Sequence, residues 1–126
     1  MTWCLDSWAV IAWLRDEPAA GRVDEALADG ALMSWVNAGE VYYLVARAAG
    51  EERAEEVLDN LRVRTRLDVV TPERVVDAAR IKASFSMAYA DAFACATAMA
   101  HDATLLTGDP EILDAGGPWR VADMSS

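Results

Sequence analysis

Four carboxylates stand where the chain passes from strand-like to helical patterning. Asp6 closes the apolar run at 2–6, and Glu40 lies just after the run at 31–36. Asp91 opens the stretch ADAFACATAMAH at 90–101, and Asp109 follows ATLLT at 103–107. Each has an ordinary role at a helix end. Asp6 or Ser7 can cap a first helix, and Asn37 with Glu40 has the cap-and-N3 spacing of a capping box. Asp91 complements the positive end of a helix dipole. Asp109, before Pro110 and Glu111, has the form of an N-cap with proline at N1. Brought together, the four would repel one another strongly, and folding would require raised pKa values or bound cations. Oxygen-only ligands suit Mg²⁺ or Mn²⁺, and no thiol or imidazole set competes for zinc. An acidic pocket with a hard divalent ion is machinery for phosphodiester hydrolysis.

The elements that must position these acids alternate. Strands are expected at 2–6, 31–36, 67–70 and 103–107, with a short edge strand at 119–122. Helices are expected over 7–15, 19–28, 38–49, 51–65, from Pro72 after a Thr71 cap, over 90–101, and as a short turn from Pro110. Val41, Leu44, Val45 and Ala48 form one inward stripe, and Val75, Val76, Ala79 and Ala83 another. Strands separated by helices imply crossover connections. The expected fold is therefore α/β: a three-layer α/β/α sandwich with a central parallel sheet of four to five strands. Strand-to-helix junctions then share one edge, where sites of such folds lie. Convergence of the acids rests on that topology.

The chain has 126 residues, 54% hydrophobic and 25% charged, which fits one domain over 1–126. No apolar run is long enough to cross a bilayer, and no basic n-region marks a signal peptide, so a cytoplasmic protein is expected. Cys4 and Cys95 lie in apolar surroundings and read as buried free thiols. The net charge is −10. That argues against a protein that coats nucleic acid non-specifically, and no DNA binding by this chain alone is expected. Residues 47–82 balance eight bases against eight acids, so the excess acid lies in the flanking segments.

Other residues have two readings. Ser7 is a helix cap or a hydrogen-bond donor beside the metal site. Thr107 ends a strand, or orients Asp109 or a water on the metal. Asn37 reads as the cap that presents Glu40. Arg62, Arg64 and Arg66 read as a solvated helix end paired with nearby acids, the alternative being phosphate contact. His101, at a helix end, reads as structural. Trp3, Trp13 and Trp35 read as core. One of Tyr42 and Tyr43 should be exposed, which suggests an interface. Aromatic residues crowded onto the early helices of so small a chain point to a homodimer.

Three stretches, LDSWAVIAWL (5–14), NAGEVYYLVARAAG (37–50) and AYADAFACATAMAHDATLLTGDPEI (88–112), resemble the signature blocks of the PIN domain family. They are most similar to the VapC toxins of bacterial toxin–antitoxin pairs. The most specific part is the D-A-x-x-x-A block at Asp91 with the T-G-D-P-E block that follows it. Trp8, after Asp6-Ser7, departs from the small residues usual there. The resemblance places the family's acidic quartet on Asp6, Glu40, Asp91 and Asp109, and its accessory hydroxyl on Thr107. It implies a Mg²⁺- or Mn²⁺-dependent endoribonuclease, with Asp6, Asp91 and Asp109 at the metal and Glu40 completing the site. It also implies in-line attack of water on phosphorus, leaving 3′-hydroxyl and 5′-phosphate ends. A homodimer and a cognate VapB-like antitoxin are implied as partners.

Two rival readings remain at this level. One is a catalytically silent PIN-like domain used for protein contacts; retention of all four acids speaks against it. The other is a small phosphatase or receiver-like domain with Asp6 as nucleophile or phosphoacceptor. It lacks a lysine at a strand end, since only Lys82 exists and it falls in a helical stretch.

Overall fold

The computed structural model describes residues 1–125. The elements run β1 (Trp3–Leu5), α1 (Ser7–Leu14), α2 (Ala20–Asp29), β2 (Ala31–Ser34), α3 (Trp35–Ala49), α4 (Glu51–Arg64), β3 (Arg66–Asp68), α5 (Pro72–Ser84), α6 (Tyr89–Ala100), β4 (Thr104–Thr107), α7 (Pro110–Leu113) and β5 (Arg120–Asp123). The five strands form one sheet in the order β3-β2-β1-β4-β5, and every pairing is parallel.

Strand alternation divides the core between the two faces of this sheet. Cys4, Leu32 and Leu105 point to a cluster with Ala78, Phe93, Ala96 and Trp119, under α5 and α6. Leu5, Met33 and Leu106 point to the other face, against Val10, Val23, Val41, Val57 and Leu61 of α1 to α4. Because both faces are covered, the central strands are apolar at successive positions rather than alternating with polar residues. Both cysteines are buried and free. Among the described residues no helix is long and apolar enough to cross a membrane.

Several local expectations shift. β2 ends at Ser34, and Trp35 and Val36 open α3. The cap of that helix is Ser34, whose hydroxyl accepts from the Val36 N–H at 3.1 Å. Asn37 is therefore not a cap. It is buried inside α3, and its Nδ2 donates to the Ala90 carbonyl at 3.1 Å. The cause lies in the neighbouring strands: β1 pairs only as far as Cys4 with Leu32, and β3 only as far as Asp68 with Ser34, so no ladder extends to Trp35.

β3 likewise runs over Arg66–Asp68, not 67–70, leaving Val69 67% exposed. In α5, Arg74, Ala78 and Ile81 turn inward, while Val75 and Val76 are 38% and 46% exposed. An ion pair sets this phase: Arg74 Nε meets Asp68 Oδ2 at 3.2 Å with both side chains only 14% exposed. In α3, Leu44 and Ala48 lie exposed rather than inward.

Arg62 and Arg64 stack over the rings of Trp35 and Trp13 instead of pairing with acids. Arg66 lies in β3 and reaches His101 Nδ1 at 3.2 Å. His101 ends α6, and its Nε2 contacts Asp68 at 2.8 Å, a structural role. Trp3, Trp13 and Trp35 are half-buried against the core, and Tyr43 is the exposed member of its pair.

Candidate active site

The carboxyl ends of β1, β2 and β4 deliver the acids to one edge of the sheet. Asp6 follows β1 directly and caps α1, its Oδ1 accepting from the Ala9 N–H at 2.8 Å. It is 1% exposed. Burial pushes its pKa up to about 7; hydrogen bonds from Thr107 and the Ala9 N–H oppose the shift, and the charges of Asp109 and Glu40 add to it.

Ser7 is the first residue of α1, not its cap, and its hydroxyl donates to Glu40 Oε1. Glu40 lies in the second turn of α3, because that helix starts earlier than its sequence suggested. Thr107, fully buried at the end of β4, ties two acids together. Its hydroxyl donates to Asp6 and accepts from the backbone N–H of Asp109 at 3.0 Å. Asp109 caps α7, accepting from the Glu111 N–H at 2.9 Å.

Asp91, in the first turn of α6, is buried, and its pKa rises to about 8. Burial is the largest cause, followed by the charge of Asp109 and a hydrogen bond with Glu111. Asn37 holds the carbonyl of Ala90, the residue before it.

Glu111 is the residue that sequence reasoning missed as a site carboxylate. Its Oε2 accepts from the Ala88 N–H at 3.1 Å, so the side chain folds back towards the start of α6. One oxygen each of Asp91, Asp109 and Glu111 lie within 4.8 Å of one another. The available signal was its place in the first turn of α7, two residues after Asp109. Asp6 and Glu40 act on this cluster through their charges but stand outside the tight triangle.

The acids open into a cleft of about 490 Å³ lined by Ser7, Trp8, Ile11, Arg15, Glu40 and Leu44 on one side and Asp91, Asp109 and Glu111 on the other. Trp8 lies so close to the backbone that a Cβ at Gly108 would collide with its ring. The donor set fits a hard divalent cation, because every side chain of the triangle offers carboxylate oxygen. The nearby Cys95 thiol is buried and pushed up to about 12 by burial, so it offers no thiolate. Raised carboxyl pKa values mean that protons partly neutralise the cluster at neutral pH, and a cation would displace them.

A family model described as PIN domain matches residues 3–118. No curated protein matches the chain by sequence. Solved structures match over nearly the whole length. VapBC2 from Rickettsia felis, bound to a DNA fragment from their promoter, aligns with TM-score 0.78 and 16% identity over 98% of each chain. A toxin–antitoxin complex from Klebsiella pneumoniae aligns with TM-score 0.76 and 19% identity over 96% of each chain. VapC20 from Mycobacterium tuberculosis, a sarcin–ricin loop cleaving toxin, aligns with TM-score 0.73 and 18% identity over 90% of this chain and 95% of that one.

Proposed function

We propose that this chain, which belongs to the PIN domain family, is a Mg²⁺- or Mn²⁺-dependent endoribonuclease and the toxin of a cytoplasmic toxin–antitoxin pair. The observation that carries the reading is the carboxylate triangle of Asp91, Asp109 and Glu111 at the sheet edge, with Asp6 buried behind it. Asp6, Asp91 and Asp109 are the proposed metal set, with Glu111 added, and Glu40 completes the site. When bound, the cation lowers the pKa of water and neutralises charge on the phosphorus centre.

The chain's own residues prepare that chemistry. Thr107 holds Asp6 and Asp109 in register. Ser7 fixes Glu40 at the cleft wall, and Asn37 steadies the helix turn that carries Asp91. Carboxylates fixed before substrate arrives cost no reorganisation during reaction. No separate general base is assigned. Lys82 donates to the Met87 carbonyl and does not line the cleft, which disfavours a receiver-like phosphoacceptor.

An antitoxin partner is supported by the complexes of similar fold and by an apolar groove along α1 and α3. Ile11, Leu14, Leu44, Val45 and Ala48 line it, and Ile11, Arg15 and Leu44 line the acidic cleft as well. A segment packed in the groove could thus extend into the site. The exposed Val75 and Val76 of α5 support a homodimer. The test is to map RNA ends after the protein is induced in cells. New 5′-phosphate ends that vanish with Asp91→Asn are expected; unchanged cutting by that variant would refute the assignment.

A further inference from the structure

We propose that Trp8 and Arg15 form a subsite for single-stranded RNA, with a base stacked on the Trp8 indole and a neighbouring phosphate held by Arg15. The proposal rests on the nuclease reading and names how its substrate is gripped.

Three observations converge on α1. The first is the lining of the cleft. Ser7, Trp8, Ile11, Ala12 and Arg15 fall on one side of the helix and form one wall, facing Asp91, Asp109 and Glu111. At 1.5 Å rise per residue, Trp8 and Arg15 lie about 10 Å apart along the axis. That is short enough for neighbouring nucleotides of one strand.

The second is how Trp8 is held. Its ring occupies space that a side chain at Gly108 would fill. Gly108 stands between Thr107, which bonds Asp6, and Asp109 of the acidic triangle, so one peptide fixes the indole relative to the acids. The Trp3 and Trp13 indoles donate to Asp29 and Asp24, whereas Trp8 has no such partner among the described residues. A half-buried indole with a rigid backing, at the mouth of a charged cleft, is what an unstacked base requires.

The third is the isolation of Arg15. Every other arginine and the lysine has an acid, a ring, a histidine or a carbonyl as partner. Among the described residues Arg15 alone has none, and it is exposed in the cleft. On a chain of net charge −10, an unpaired guanidinium in the same cleft as the acid cluster offers a phosphate an attraction besides that of the cation.

The experiment measures anisotropy of a fluorescein-labelled single-stranded RNA dodecamer in Mn²⁺. All proteins carry Asp91→Asn, which leaves the strand uncut. Trp8→Leu should weaken binding about tenfold or more, and Trp8→Phe should retain most of it. Arg15→Gln, at an exposed site that folding does not need, should weaken binding and reduce the salt slope by about 0.7. With Asp91 restored, all three variants should keep the Mn²⁺-induced rise in melting temperature, which separates strand contact from damage to the metal site. Wild-type affinity in both Trp8→Leu and Arg15→Gln, in a protein that cuts RNA, overturns the subsite and leaves the nuclease reading standing. Variants that lose antitoxin binding but keep their grip on RNA overturn it equally. A wild-type protein that neither binds nor cuts RNA in Mn²⁺ overturns the nuclease reading itself.

Discussion

Asp91 and Asp6 bind protons more tightly in the folded chain than in the unfolded one, with pKa values raised to about 8 and about 7. The sign follows from linkage. Where the folded state holds more protons, stability falls as pH rises, here from about pH 4 through about pH 8. The metal-free melting temperature should therefore drop between pH 5 and pH 8. Asp91→Asn should flatten that drop and raise the metal-free melting temperature at pH 8 by a few degrees. Millimolar Mn²⁺ should restore stability to the wild type at pH 8 and do little for the variant. Differential scanning fluorimetry across pH checks all three, and a wild-type curve indifferent to Mn²⁺ would sink the metal site. At this scale the sequence was legible where a residue acts on its near neighbours: the caps at Asp6, Thr71 and Asp109 are as their spacing suggests. For Glu111 it offered only a place two residues after Asp109; that its side chain reaches back to Ala88 and Asp91 is a tertiary relation that no local pattern encodes.

Helix α3 shows how an element boundary escapes local reading. Ser34 and Asn37 are both good cap formers, three residues apart, and only the lengths of β1 and β3 decide between them. Urea unfolding separates the two roles. Ser34→Ala should cost about 1 kcal/mol, the worth of a cap. Asn37→Ala should cost about 1–3 kcal/mol, because it empties buried volume and strands the Ala90 carbonyl. Equal small losses would return Asn37 to the helix end. The existence and order of the strands and helices were readable from short apolar runs, from helical periodicity in α2 to α4, and from the caps and breakers between them. The phase of α5 was not, because an inward Arg74 paired with Asp68 inverts the rule that charge faces water. That inversion leaves Val75 and Val76 outside, on the face proposed for the homodimer. Light scattering should find a dimer at tens of micromolar, and Val76→Glu should weaken it at least tenfold while changing stability by under about 0.5 kcal/mol.

Taken as a whole the molecule repels the RNA proposed as its substrate, since its net charge is −10 and RNA is a polyanion. An inhibitor bearing arginines meets the opposite field, focused in the acidic cleft. Guanidinium groups from the tail of the proposed antitoxin should substitute for the proposed cation, so inhibition should weaken as Mn²⁺ rises. Inhibition that survives removal of every arginine and lysine from the tail would refute this charge-mimic account. The parallel sheet has a second implication, for the timing of synthesis. β4 lies between β1 and β5, so one of the two strands that flank β1 is made long after it. Asp6 and Glu40 emerge early, but the edge on which the acids meet does not exist until β4 has inserted beside β1 and carried Asp109 with it. On the nuclease reading proposed above, a growing chain cannot act on RNA before β4 has been made.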